Sequence, residues 1–185
     1  MDLDKTISQR RSIRSFSNKK VKWHKILEAI DAANQAPFAG NINNLKFIIV
    51  ENKEAIEYLT QCCQQSWIRE SSFVVVVCAE TKKLEGIYDS HGKIYSKQQA
   101  GAAIQNFLLK ITELGLASCW VGAFSEAQVK RKLQIPDNYD VEALLPIGYA
   151  SKKVKPIKKE RLETTIYWET WKQSKKPTGF KDPRS

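Results

Sequence analysis

The stretch QQAGAAIQNFLLKITELGLASCWVGAF, Gln98 to Phe124, reads as one long, mostly apolar helix, a glycine stop and a short strand-like exit into a Gly-Ala turn. Ile104, Phe107, Leu108, Ile111 and Leu114 recur at the 3.6-residue helical period, and Asn106, Lys110 and Glu113 leave only a narrow polar stripe. A helix so nearly apolar all round belongs in a core or an interface. Its start is written as a capping box, Ser96-Lys97-Gln98-Gln99, and its end as Gly115 in the position of a left-handed cap. The segment after it, Ser118 to Ala123, is the part expected to touch chemistry.

Working outward, Phe73 to Cys78 (FVVVVC) is a continuous β-branched run, the mark of a strand buried on both faces in mid-sheet. Lys46 to Glu51 reads as a second strand and Val141 to Tyr149 as a third, where Pro146 removes a ladder donor and predicts an edge or a bulge. Helices are predicted over Asp2 to Gln9, Lys22 to Ala36 (Trp23, Ile26, Leu27, Ile30 and Ala33 on one side), Lys53 to Gln64 and Ser125 to Leu133. Thr81 to Tyr95 reads as a polar loop long enough to be a cover or lid, with His91 as a candidate acid. Tyr167, Trp168 and Trp171 near the terminus carry too much apolar surface to leave in water and predict docking on the core or on a partner subunit.

At 185 residues the chain is most economically one domain, able to bury roughly 70% of its unfolded surface. A formal charge of +10 favours anionic partners such as phosphorylated cofactors or nucleic acid, although the lysines are scattered and no basic run is interleaved with stacking aromatics. Cys62, Cys63, Cys78 and Cys119 form no C-x-x-C pair and no metal-ligand spacing with His24 and His91, so they read as reduced thiols with no metal site. No run approaches the ~20 apolar residues of a bilayer span, and no apolar signal segment opens the chain, so a cytoplasmic protein without membrane attachment is expected.

Two clusters could hold an anion. Arg10, Arg11 and Arg14 surround Ser12 near the start, and SKKVKPIKKERLE carries a second basic group near the end. Guanidinium groups pair with phosphate oxygens in a bidentate fork, but three arginines in five residues also suit a solvated turn. Pro37 to Asn44 (PFAGNINN) supplies amides that suit a heterocycle edge as well as an ordinary turn. A G-x-G-x-x-G turn, a P-loop, H-E-x-x-H and a Ser/His/Asp set are all missing, so chemistry is expected from a bound cofactor, with no catalytic side chain of the protein's own.

QRRSIRSF, AxxAPxxxNxxxxxFIIV, the FVVVV strand, AAIQNFLL with LGLASCWVGAF, LLPIGYA and the KxRL tail occur in order from about Ser8 to Trp171. Together they resemble the FMN-dependent nitroreductase family. The resemblance implies an α+β fold, a central mixed, mainly antiparallel sheet flanked by helices, in an intertwined homodimer with FMN at the subunit interface. It implies one FMN-binding domain over residues 1–172, including a C-terminal arm; residues 173–185, polar and carrying Pro177, Gly179 and Pro183, read as a flexible tail. On this resemblance Arg10 and Ser12 meet the phosphate, beside Arg11, and Arg14 reaches the pyrimidine side, while Lys159 and Arg161 close on the phosphate from the tail. Pro37, Phe38, Ala39, Asn41 and Asn43 belong to a loop given to the flavin by the second subunit. Trp120, Val121, Gly122 and Ala123 form a strand end over one flavin face, with a backbone amide near Gly122 directed at N5, and Gln65 is an amide on the pyrimidine ring.

Three departures from the family pattern stand out: Phe38-Ala39 replaces a pair of serines, Asn44-Leu45 a Pro-Trp, and Gln99 an aspartate. The first makes the pocket wall more apolar and predicts a changed acceptor range. The expected activity is ping-pong electron transfer from NADH or NADPH through FMN to a nitroaromatic, quinone or other small organic acceptor. The alternatives are a basic nucleic-acid-binding module and a flavin-binding protein without reductase turnover.

Overall fold

The computed structural model describes residues 2–155 and 157–175, in two compact units, residues 1–154 and 155–185. The domain boundary expected after 172 falls inside the second unit, and most of the expected tail, 176–185, lies outside the described residues. The first unit runs α1 (Leu3–Gln9), β1 (Phe16–Ser17), α2 (His24–Asn34), β2 (Leu45–Val50), α3 (Lys53–Cys63), β3 (Phe73–Ala79), α4 (Thr81–Tyr88), α5 (Ser90–Glu113), β4 (Ala117–Ser118), α6 (Glu126–Leu133) and β5 (Asp140–Ala150). Among the described residues no helix is long and apolar enough to cross a membrane.

The sheet order is β1-β5-β3-β2, with β4 also on β5, and every strand pair is antiparallel. All seven residues of β3 are buried, because the sheet is covered on both faces. Phe73, Val75, Val77 and Ala79 point to a core built with Ile26, Ala29 and Ala33 of α2 and Ala103, Ile104 and Phe107 of α5. Val74, Val76 and Cys78 point the other way, to Ile56, Leu59 and Cys63 of α3 and Val129 of α6. The period of two in a strand thus sends alternate valines to opposite layers, and neither face keeps a polar side.

α5 buries its core positions Ala100, Ala103, Ile104, Phe107, Leu108 and Ile111 within the single chain. It also begins earlier than its capping-box pattern suggests. Ser96 is buried inside the helix, not at its end, and bonds Asn44 Nδ2 at 2.9 Å. The end is as read: Gly115 takes φ +72°, its N–H reaches Thr112 O at 3.0 Å, and Leu116 N–H reaches Ile111 O at 2.9 Å, the paired bonds of a Schellman motif.

The expected polar loop over Thr81 to Tyr95 is helical instead, α4 and the first turns of α5. Only Thr81 and Leu84 of α4 are buried, a single anchor point too sparse to register as an apolar period. Trp23 and Leu27 are 64% and 46% exposed, so the inward face of α2 is narrower than its pattern suggested. Pro146 lies on neither an edge strand nor a bulge; the bulge in β5 falls at Glu142, between the Val77–Ala143 and Cys78–Val141 pairs. Pro146 interrupts the other side of β5. β4 pairs Ser118 with Ile147, the next bridge is Val121 with Leu144, and the register between them sets Cys119 opposite the proline, which has no N–H to give.

The bulged Glu142 carries a test of its environment. Burial pushes its carboxyl up, Lys97 Nζ at 2.7 Å works against that, and the nearby acidic Asp140 and Glu126 add to it. A folded pKa above the unfolded one makes the ionised form a cost to the fold at neutral pH, and that cost disappears as pH falls through the folded value. Glu142→Gln is therefore expected to raise the urea midpoint at pH 7, with the gain shrinking to nothing as pH drops below the carboxylate range. A lower midpoint at pH 7 would show that the Lys97 pair outweighs desolvation.

In the second unit a short 3-10 turn covers Leu162–Thr164, and Tyr167 packs on Trp171 with ring centroids 4.8 Å apart, although Trp171 stays 80% exposed.

Candidate functional site

Arg10 closes α1. Its N–H still reaches Thr6 O, and the chain then turns away from the helix into an extended segment. That segment docks on β4: Ile13 N–H donates to Ser118 O at 3.0 Å, and Ser12 and Ser118 form a parallel bridge. The basic opening of the chain is thereby stitched to the exit of α5, over a hundred positions downstream. The Cys119 thiol reports what gathers there. Burial pushes it above the usual thiol range, while the charges of Arg14 and Arg10 and the hydrogen-bonding groups of Ser12 and Arg14 pull it back. Arg10, Ser12 and Arg14 thus all stand in the neighbourhood of Cys119. Arg11 does not join them, since its Nη1 donates to the carbonyls of Ser8 at 2.6 Å and Arg10 at 2.8 Å.

Beside this cluster Ser118 Oγ is a buried side-chain polar atom with no hydrogen-bond partner, and it is the lone such atom among the described residues. Such an atom usually marks a missing ligand or water. Past it, Val121 exchanges two 3.0 Å bonds with Leu144 and fixes the strand end, while Gly122 and Ala123 are exposed. A Cβ at Gly122 would meet nothing within 4 Å, so there is open space in front of this backbone. Trp120 is 42% exposed and its indole lies over Gly101 of α5.

The Pro37 to Asn44 loop forms a second group. Gly40 and Asn41 are both left-handed, at φ 56° and 58°, and close a short 3-10 turn over Ala39–Asn41. The Tyr88 hydroxyl packs close on Gly40, so that a Cβ there would sit 2.5 Å from it and the tyrosine tip would have to shift. Asn43 is occupied locally, accepting from Leu45 N–H at 2.8 Å and donating to Asn34 at 3.2 Å. Pro37 and Ala39 line a groove of about 200 Å³ with Tyr95, Gln98, Gln99 and Ala102 of α5, and Phe38 packs partly on the adjoining core. The hydrogen bonds of this loop to the rest of the chain run to Asn34, Glu80, Lys83, Ser96 and Gln99, and among the described residues none reaches the Arg10 to Arg14 segment.

Of the remaining candidates, Gln65 is half-buried, and its backbone opens the 3-10 turn Ser66–Glu70. Lys159 and Arg161 belong to the second unit, where Arg161 Nε meets Glu163 at 3.3 Å with both side chains exposed. His91 sits in the first turn of α5 with its ring 6.1 Å from that of Tyr95. Reading by motif overlooked Ser118 and Cys119. Both sit inside the stretch singled out for chemistry, but neither residue type signals an anion site by itself.

A family model described as "Nitroreductase family" matches residues 7–72 and 59–149. A protein of Archaeoglobus fulgidus named "Putative NADH dehydrogenase/NAD(P)H nitroreductase" is 31% identical over 150 residues, spanning 78% of this chain and 83% of that one. "FMN reductase [NAD(P)H]" of Bacillus subtilis is 24% identical over 184 residues, 90% of this chain and 73% of its own. The crystal structure of a nitroreductase family protein from Clostridium difficile 630 superposes with a TM-score of 0.81 at 26% identity, covering 92% of this chain and all of the other.

Proposed function

The chain belongs to the nitroreductase family of oxidoreductases, and from that premise we propose that it passes electrons from NADH or NADPH through a bound FMN to a small organic acceptor, a nitroaromatic or quinone, by a ping-pong cycle. The observation that carries the proposal is the convergence of Arg10, Ser12 and Arg14 beside the unpartnered Ser118 Oγ, with open space before Gly122. This donor set fits a phosphorylated, planar group: one cation and hydroxyls for a phosphate, and a second cation with a bare backbone edge for a ring.

FMN, when bound, supplies the hydride and single-electron chemistry that no side chain of the protein provides. Arg10 and Ser12 hold the phosphate, with Arg11 fixing the turn between them. Arg14 places a cation at the pyrimidine side, where negative charge is to be stabilised, and Gln65 offers an amide to the same ring. Trp120, Val121, Gly122 and Ala123 form a rigid edge that excludes water from one face and directs a backbone N–H at the ring. Pro37, Phe38, Ala39, Asn41 and Asn43 close the site from a second subunit, and Lys159 and Arg161 add charge at the phosphate from the C-terminal arm. A homodimer is supported by the apolar side chains that one chain leaves in water, Leu3 and Ile7 of α1, Trp23 and Leu27 near and on α2, and Ile94 of α5. Donor and acceptor use the same open face in turn, in a cytoplasmic enzyme that needs no dedicated protein acid or base.

The test is a visible spectrum of the purified full-length chain, before and after addition of FMN, followed by anaerobic titration with NADH and NADPH. A flavin band that bleaches with one or both donors is expected. Colourless protein that takes up no FMN would refute the proposal.

A further inference from the structure

Gln99 is 4% exposed, and all three of its side-chain hydrogen bonds go to one loop. Its Oε1 accepts from Ala39 N–H at 3.1 Å, and its Nε2 donates to Ile42 O at 3.2 Å and to Asn44 Oδ1 at 2.5 Å. Ala39 and Ile42 flank the two left-handed residues, Gly40 and Asn41. A single amide therefore grips both ends of the turn. Asn44, 3% exposed, fixes Gln99 in turn, because its Nδ2 is committed to Ser96 Oγ at 2.9 Å and Glu80 O at 3.2 Å. Behind Ser96, Thr81 Oγ1 lies at 3.3 Å and donates to Asp140 Oδ2 at 2.6 Å, so the chain of polar contacts continues from α5 through α4 to β5.

We infer that Gln99, oriented by Asn44, is a positioning residue that sets the shape of the Pro37–Asn43 loop and thereby its fit to FMN. The inference rests on the flavin reading proposed above. The chemistry needs an amide: one acceptor and two donations from the same head group. A glutamate of equal length keeps the acceptor but sets its second oxygen against the Ile42 carbonyl and Asn44 Oδ1, and a methionine keeps only the volume. Left-handed backbone in two successive residues persists where surrounding contacts over-determine it, and here those contacts are the side chain of Gln99 and the packing of Tyr88 on Gly40.

The experiment compares full-length wild type, Gln99→Glu and Gln99→Met, with FMN dissociation constants from flavin fluorescence at about pH 8 and about pH 5, and thermal midpoints of the flavin-free proteins. Both variants are expected to bind FMN about tenfold or more weakly at the higher pH, as lost buried hydrogen bonds would dictate. At the lower pH the ratio of Gln99→Glu to wild type is expected to recover in part, because a protonated carboxyl restores one of the two donations, whereas Gln99→Met stays weak. A role confined to stability would lower the thermal midpoints and leave the dissociation constants, measured well below them, equal to wild type. That result, or equal affinity without any loss of stability, overturns the inference while leaving the flavin reading intact. Wild type that binds no FMN overturns the flavin reading and the inference with it.

Discussion

Gly92→Ala is expected to destabilise the protein by at least about 2 kcal/mol, even though alanine in a helix interior is ordinarily favoured over glycine by about 1 kcal/mol. Gly92 lies in the first turn of α5 and is buried against the middle of α4. A Cβ there would fall far inside van der Waals contact with the backbone of Leu84 and Glu85. The obstruction is main chain, not a flexible tip, so it cannot swing aside. The two helices are joined by the single residue Asp89 at φ 48°, which leaves no slack for them to separate without loss of the Leu84 anchor. Urea unfolding at pH 7 measures the effect. Gly86→Ala is the internal control, because its Cβ would meet nothing within 4 Å and the helix preference should make it neutral or stabilising. A Gly92→Ala protein as stable as wild type would mean that α4 and α5 do not meet as described.

The same corner explains what could be read from the sequence and what could not. β3 was legible because a strand covered on both faces must be apolar at every position, and FVVVVC admits little else. The core face of α5 was legible from its period, and Gly115 from its place after that period stops. α4 was not, because its fold value rests on Thr81, Leu84 and the absence of a side chain at Gly92, three signals that a polar, lysine-rich surface conceals. Ser96 was misread for a related reason. A hydroxyl three residues before a glutamine marks a helix start when it meets solvent, but here tertiary contacts extend the helix past it and turn the hydroxyl inward to Asn44.

The departures from the family pattern gain a physical meaning from this geometry. Asn44 and Gln99 are far apart in sequence, and each alone looks like an isolated substitution. In the folded chain they are hydrogen-bonded to one another at 2.5 Å, so two of the three departures are one buried pair. Proline in place of Asn44 would have neither the amide to fix Gln99 nor the donors for Ser96 and Glu80. A buried polar pair of this kind is favourable only when every member is satisfied, and among these atoms each has a partner. Sequence order could locate both residues but could not join them.

The largest functional effect is expected from Arg10→Ala combined with Arg14→Ala. A hydrogen bond to a charged group contributes about 1.5–3 kcal/mol, so loss of both cations should weaken FMN binding by about a hundredfold to ten-thousandfold. Neither residue packs in the core, and α1 is capped by Asp2, whose side chain accepts from Lys5 N–H at 2.8 Å, so the fold should survive. Riboflavin separates the two roles, because it keeps the ring and lacks the phosphate. Arg10→Ala alone should weaken FMN and leave riboflavin unchanged, whereas Arg14→Ala should weaken both, if its cation serves the ring. Flavin fluorescence titrations of the single variants check this, with thermal midpoints as the control for folding. Equal losses of riboflavin and FMN in Arg10→Ala would move Arg10 from the phosphate to the ring. Unchanged FMN affinity in the double variant would dissociate the Cys119 cluster from flavin binding altogether, and leave the unpartnered Ser118 hydroxyl to be explained by another ligand or a water.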